Sequence, residues 1–201
     1  MPTLFQINVV ANWGSTGRIA EEIGQMAIKC GWKSYIAYGR GKPKSQSKLI
    51  RIGNKVDMYR HALISRLLDN HGLNSNKATR KLIDRIRDIK PDIVHAHNSS
   101  FSYFFLSIGI LLSRTVPVNI RSIHFSGFFL EKRTIEDKIR FIFDWCACRL
   151  LKTIIISVGP TVSRVVKRLY TSNQHLTIVN GIDTKEKFCK RNLTKSCMGI
   201  S

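Results

Sequence analysis

Short apolar runs alternate along the chain with longer stretches in which apolar residues recur every three or four positions. Leu4 to Val10 is β-rich and ends in the polar loop Ala11 to Gly17. A helical pattern follows, with Ile19, Ile23, Met26 and Ala27 on one face, and Gly31 stands where a helix-ending glycine belongs. Trp32 to Tyr38 and Lys48 to Gly53 read as strands, and Val56 to Leu68 and Lys77 to Ile89 as helices. Pro91 opens a strand running to His97. Helix Ser102 to Ser113, strand Val118 to Ile123, helix Ile135 to Leu150 and strand Thr153 to Val158 come next. Pro160 to Tyr170 is a helix with proline in its first turn, and Leu176 to Val179 a last strand. Strands alternating with helices at this spacing predict an α/β fold: a doubly wound, parallel, Rossmann-like sheet over residues 1–184. Residues 185–201 lack periodicity and read as an irregular basic tail.

Composition narrows the picture. With 43% hydrophobic and 23% charged residues, 201 residues suit one globular domain and exclude disordered, collagenous and coiled-coil classes. The 33 Lys and Arg against 13 Asp and Glu give a net charge of +20, which points to an anionic partner. No RRM, zinc-finger or helix-turn-helix pattern accompanies the charge, so no specific nucleic-acid recognition is expected. The five cysteines have no metal-ligand spacing and read as reduced thiols, and no metal or bound cofactor is expected. The N-terminus lacks a basic signal-peptide region, and the longest apolar stretch, Phe101 to Leu112, is about half of a spanning helix. These features predict a cytoplasmic protein.

In open parallel sheets ligands bind at the carboxyl ends of the strands, so chemistry is sought there. Gly14 and Gly17 lie in the loop after the first strand, where backbone can approach a ligand, and Arg18 adds a positive charge. His95 and His97 alternate onto one face at the end of a later strand, with Asn98 beyond. His97 and Asn98 are the better placed for the cleft. His124 follows the next strand, in position to orient a ligand, and Ser157 ends the strand after that.

The order of these pieces resembles the N-terminal half of a family 4, GT-B-type glycosyltransferase. The resemblance runs through Gln6-Ile7-Asn8, Gly14 to Arg18, Pro91 to Asn98, Arg121 to His124 and Ser157, to Asn180-Gly181-Ile182-Asp183 and Phe188. It implies transfer of a hexose from a nucleotide sugar to a lipid-linked or glycan acceptor, in bacterial surface polysaccharide synthesis. It makes His124 the catalytic residue contacting the transferring sugar. Gly14, Gly17, Arg18, His97, Asn98 and Ser157 become substrate-binding residues. A second Rossmann half, carrying the donor site, is expected after Phe188, where 13 residues remain. The expected partners are therefore the nucleotide sugar, the acceptor, a separate donor-domain chain, and an anionic membrane surface at the inner leaflet. Two alternatives stand beside this: an inactive remnant, and a module that binds membranes or nucleic acids through charge alone.

Overall fold

The computed structural model describes residues 1–41, 43–52, 76–97, 107, 110–111, 118–124 and 135–179. The helix expected over 56–68, Asn98, residues 180–183 and the tail lie outside the described residues. So does most of the helix expected over 102–113, of which Ser107, Ile110 and Leu111 are helical.

Seven strands form one sheet: β1 (Thr3–Val10), β2 (Lys33–Arg40), β3 (Lys48–Arg51), β4 (Ile93–His97), β5 (Val118–Ile123), β6 (Ile154–Ser157) and β7 (His175–Thr177). Their order is β3-β2-β1-β4-β5-β6-β7, and every pairing is parallel. The sequence order reverses between β1 and β4. That boundary is the switch point at which an open α/β sheet leaves a crevice. Among the described residues four helices flank the sheet: α1 (Gly14–Lys29), α2 (Asn76–Ile89), α3 (Ile135–Leu150) and α4 (Pro160–Leu169).

The two faces of the sheet differ in chemistry. Phe5, Val94, Ala96, Ile123 and Ile155 point to one side, where they pack with Leu82 and Ile86 of α2, Ala147 and Cys148 of α3, and Val166 of α4. The strand period of two sends the alternate residues Gln6, Asn8, His95, His97 and Ser122 to the other side, where they form a polar layer beside a smaller apolar cluster of Ala11, Ile36, Tyr38 and Leu49. α1 covers part of it. Its buried positions are Gly17, Ala20, Glu21 and Gly24, while Met26 is 60% exposed. The apolar stripe of Ile19, Ile23, Met26 and Ala27 is thus not the stripe that seats on the sheet. Small residues fit instead, because the layer beneath offers hydrogen-bonding groups. A methyl on Gly24 would stand 2.3 Å from Ser47 Oγ and 3.3 Å from Gln6 Nε2.

On the apolar side one charged group is enclosed. Arg121 is paired with Asp144 of α3, which also accepts the hydroxyl hydrogen of Tyr170. Burial disfavours the guanidinium, but the adjacent carboxylate outweighs it and holds Arg121 charged. Burial also pushes the Cys148 thiol up to about 12, so it is an inert packing group. This network anchors β5, the strand that delivers His124.

Candidate active site

β1 supplies the first polar group at the switch point. Gln6 is fully buried, and its Nε2 donates to the Ala20 carbonyl of α1 at 2.8 Å. The amide is therefore oriented with Oε1 toward β4, where it lies 3.0 Å from His97 Nε2. An amide oxygen only accepts, so His97 carries its hydrogen on Nε2 and a lone pair on Nδ1. Among the described residues that Nδ1 has no hydrogen-bond partner.

His95, two residues earlier, stacks beside His97 with ring centroids 4.1 Å apart, and its Nε2 meets Ser122 Oγ of β5 at 2.7 Å. His124, one residue beyond β5, sits 6.0 Å from His97 between ring centroids. It is half-buried, and its Nε2 lacks a partner among the described residues. Three imidazoles thus line one face at the carboxyl ends of two adjacent strands.

Their protonation follows from their surroundings. Burial, with His124 nearby, lowers His95 to about 4. Burial first, then His95 and His124, holds His97 well below the ordinary histidine range. Burial also lowers His124. At neutral pH the cluster is uncharged and offers lone pairs and N–H groups, which suits it to hydroxyls. Both Nε2 atoms of the His95 and His97 pair face Ser122 and Gln6. Among the described residues no group of three or more His, Cys, Asp and Glu is placed to hold a metal ion.

The loop after β1 forms the rim. Asn12 and Gly14 adopt left-handed backbone, with φ of 47° and 65°, a turn suited to asparagine and glycine. Asn12 N donates to the Gly17 carbonyl at 3.1 Å, and its Nδ2 donates to the Lys44 carbonyl at 2.7 Å, tying this loop to the one after β2. Glu21 accepts from Ser45 Oγ and from Gln46 N, fastening α1 to the loop after β2. Gly14 and Arg18 are exposed. Gly17 is buried against the protein itself, where a methyl would stand 3.1 Å from Val10 Cγ2.

The candidate residues separate accordingly. His97 and His124 come together. Arg18 and Gly14 stand at the rim, and Gly17 packs α1 onto the end of β1. Ser157 is beside Thr177, whose hydroxyl bonds Ser163 of α4 at 2.8 Å, so it points to the opposite face. In the sequence Gln6 stands within the family resemblance but not among the expected site residues. An amide alternating onto the face of two histidines was the available signal.

The family model for Glycosyltransferase Family 4 matches residues 16–186, most of the chain. The chain belongs to glycosyltransferase family 4. No individual curated protein matches it. The match takes in His97, His124 and Ser157, and starts within α1, after Gln6, Asn8 and Gly14. The Rossmann-like parallel sheet of this glycosyltransferase domain is the architecture expected of one GT-B half. No helix among the described residues is long and apolar enough to cross a membrane.

Proposed function

We propose that the chain is the acceptor-side lobe of a retaining hexosyltransferase. It would move a sugar from a nucleotide donor to a lipid-linked or glycan acceptor in bacterial surface polysaccharide synthesis. The observation that carries this reading is the neutral pair His97 and His124 at the switch point of a family 4 domain. Uncharged imidazoles in a low-dielectric pocket orient hydroxyls without drawing in the anionic diphosphate. His124, half-buried just after β5, would be the group that touches the transferring sugar. Arg18, Arg40 and Lys44 on the joined rim supply the positive field for the phosphates.

Transfer requires donor and acceptor held together in a closed, water-excluding cleft, and one lobe cannot close on itself. A nucleotide-binding lobe must therefore face this one. The exposed basic side chains of α4, Arg164, Lys167 and Arg168, would hold the lobe against an anionic leaflet.

The test is an assay of the chain with a panel of nucleotide sugars and lipid-linked acceptors, with and without a co-expressed family 4 donor lobe. Turnover that depends on the donor lobe supports the reading. Robust turnover by the chain alone would refute the two-lobe requirement, and no transfer under any combination would refute the function.

A further inference from the structure

Three polar atoms at the switch point have no hydrogen-bond partner among the described residues: Asn8 Nδ2, His97 Nδ1 and His124 Nε2. Buried polar groups in native proteins are nearly always satisfied, so three such atoms on neighbouring strands need an explanation. Asn8 shares the parity of Gln6 on β1, so its side chain is on the face of His97. The register, with Ile7 opposite Ala96, places Asn8 beside His97 across the β1–β4 boundary. His124 follows next on β5. Asn8 is 6% exposed and His97 1% exposed, so these are enclosed groups and not surface side chains.

The orientation of Asn8 is fixed by its own backbone. Its Oδ1 accepts the Val9 N–H at 2.9 Å, which leaves Nδ2 as a donor without a partner among the described residues. Gln6 fixes His97 in the same manner, leaving Nδ1 as an acceptor. The pair therefore needs a ligand group that accepts from an amide and donates to an imidazole. A hydroxyl does both. An ionised phosphate or pyrophosphate oxygen accepts from Asn8 but sets lone pair against lone pair at His97.

We propose that Asn8, with His97 and His124, forms a subsite for the hydroxyl groups of a sugar ring, and that Asn8 is a specificity-determining residue. This rests on the glycosyltransferase reading and adds to it Asn8, a residue outside the histidine cluster that reads the neutral sugar and not the diphosphate. The sugar is either the transferred hexose or the acceptor's terminal residue.

The experiment uses the full chain, uniformly labelled with ¹⁵N, and long-range ¹H–¹⁵N spectra of its histidine rings. The probes are methyl glucoside, methyl galactoside, methyl N-acetylglucosaminide and inorganic phosphate. A saturable shift of His97 Nδ1 with a glycoside and none with phosphate is expected. Asn8→Ala is expected to weaken that glycoside about tenfold, the loss of one net hydrogen bond, at a melting temperature lowered by loss of the Val9 contact. Asn8→Asp keeps the Val9 contact and exchanges the donor for an acceptor, so it should weaken binding at least as much. It serves as the second variant if the alanine chain does not fold. A phosphate response without a glycoside response would overturn the proposal. So would no glycoside response, or glycoside binding undiminished in both variants.

With a donor lobe present, the two sugar sources separate. A raised KM for the nucleotide sugar in Asn8→Asp assigns the transferred hexose, and a raised KM for the acceptor assigns the acceptor sugar. Transfer with both KM values unmoved would sink this inference and leave the glycosyltransferase reading intact. Glycoside binding that depends on Asn8, without transfer from any nucleotide sugar, would do the reverse.

Discussion

Gln6 Oε1 and His97 Nε2 lie 3.0 Å apart across the β1–β4 boundary, joining residues 91 positions apart in the chain. The far end of the same amide is held by the Ala20 carbonyl of α1. One buried side chain thus docks a helix, fixes the tautomer of a histidine, and leaves that histidine's Nδ1 lone pair without a partner among the described residues.

Gln6→Leu keeps the volume and removes both hydrogen bonds. It strands the His97 N–H in the interior, while the Ala20 carbonyl keeps only its bond within α1. A loss of about 1–3 kcal/mol is expected. Urea denaturation checks it, and a midpoint equal to wild type would mean that the amide is not the link between α1 and β4.

The histidine cluster makes stability depend on pH. His95 is at about 4 when folded against 6.5 when exposed, so the unfolded chain takes up its proton first as pH falls. The contribution is full above pH 6.5 and is lost progressively down to about 4. His95 alone accounts for about 3 kcal/mol, and His97 acts in the same direction. Unfolding free energies measured between pH 7 and 4 should fall along this curve, and His95→Gln should flatten it.

Gly24 lies where α1 comes closest to the polar layer. Gly24→Ala would drive its methyl into Ser47 Oγ, which is bonded to Ser34 Oγ at 2.9 Å. A cost of about 1–3 kcal/mol is expected. Adding Ser47→Ala removes the obstructing oxygen, so the double variant should recover part of the loss in thermal melts. Additive losses would show that the clash is not with Ser47.

Charge on the helices is not uniform. In α2, Arg85 is 3.7 Å from Asp88 and Arg87 is 4.0 Å from Asp84, whereas α4 carries three basic residues and no acidic one. Reversal of Arg164, Lys167 and Arg168 to Glu should weaken binding to anionic vesicles by about two orders of magnitude or more, at about 1 kcal/mol per basic residue. Sedimentation with phosphatidylglycerol vesicles measures this. Equal binding by the variant would place the membrane contact elsewhere.

Much of the fold was legible because strand and helix periods are properties of neighbouring residues. Val118–Ile123 and Ile135–Leu150 have the bounds that their patterns predict. In α2 the buried Leu82 and Ile86 are four residues apart, the spacing of one helix face. The seating of α1 was not legible in that way. Its buried face is chosen by Gln6, Ser34 and Ser47 on other segments, and a helix read in isolation shows its isoleucines first. The histidines were visible as a same-face pair, but their partners, Gln6 and Ser122, are brought in by pairing with β1 and β5. Ser157 shows the opposite limit. Its place at a strand end was readable, whereas its face depended on the register with Thr177.

The most direct measurement is single-turnover transfer by the chain with a co-expressed donor lobe, comparing His124→Ala with Ser163→Ala. Ser163 is on α4, across the sheet from the imidazoles, and bonds Thr177. If the polar face at the switch point is where the sugar is held, His124→Ala loses about 100-fold or more in rate. Ser163→Ala then keeps the wild-type rate at a slightly lowered melting temperature. Full activity in His124→Ala would contradict the assignment of this face.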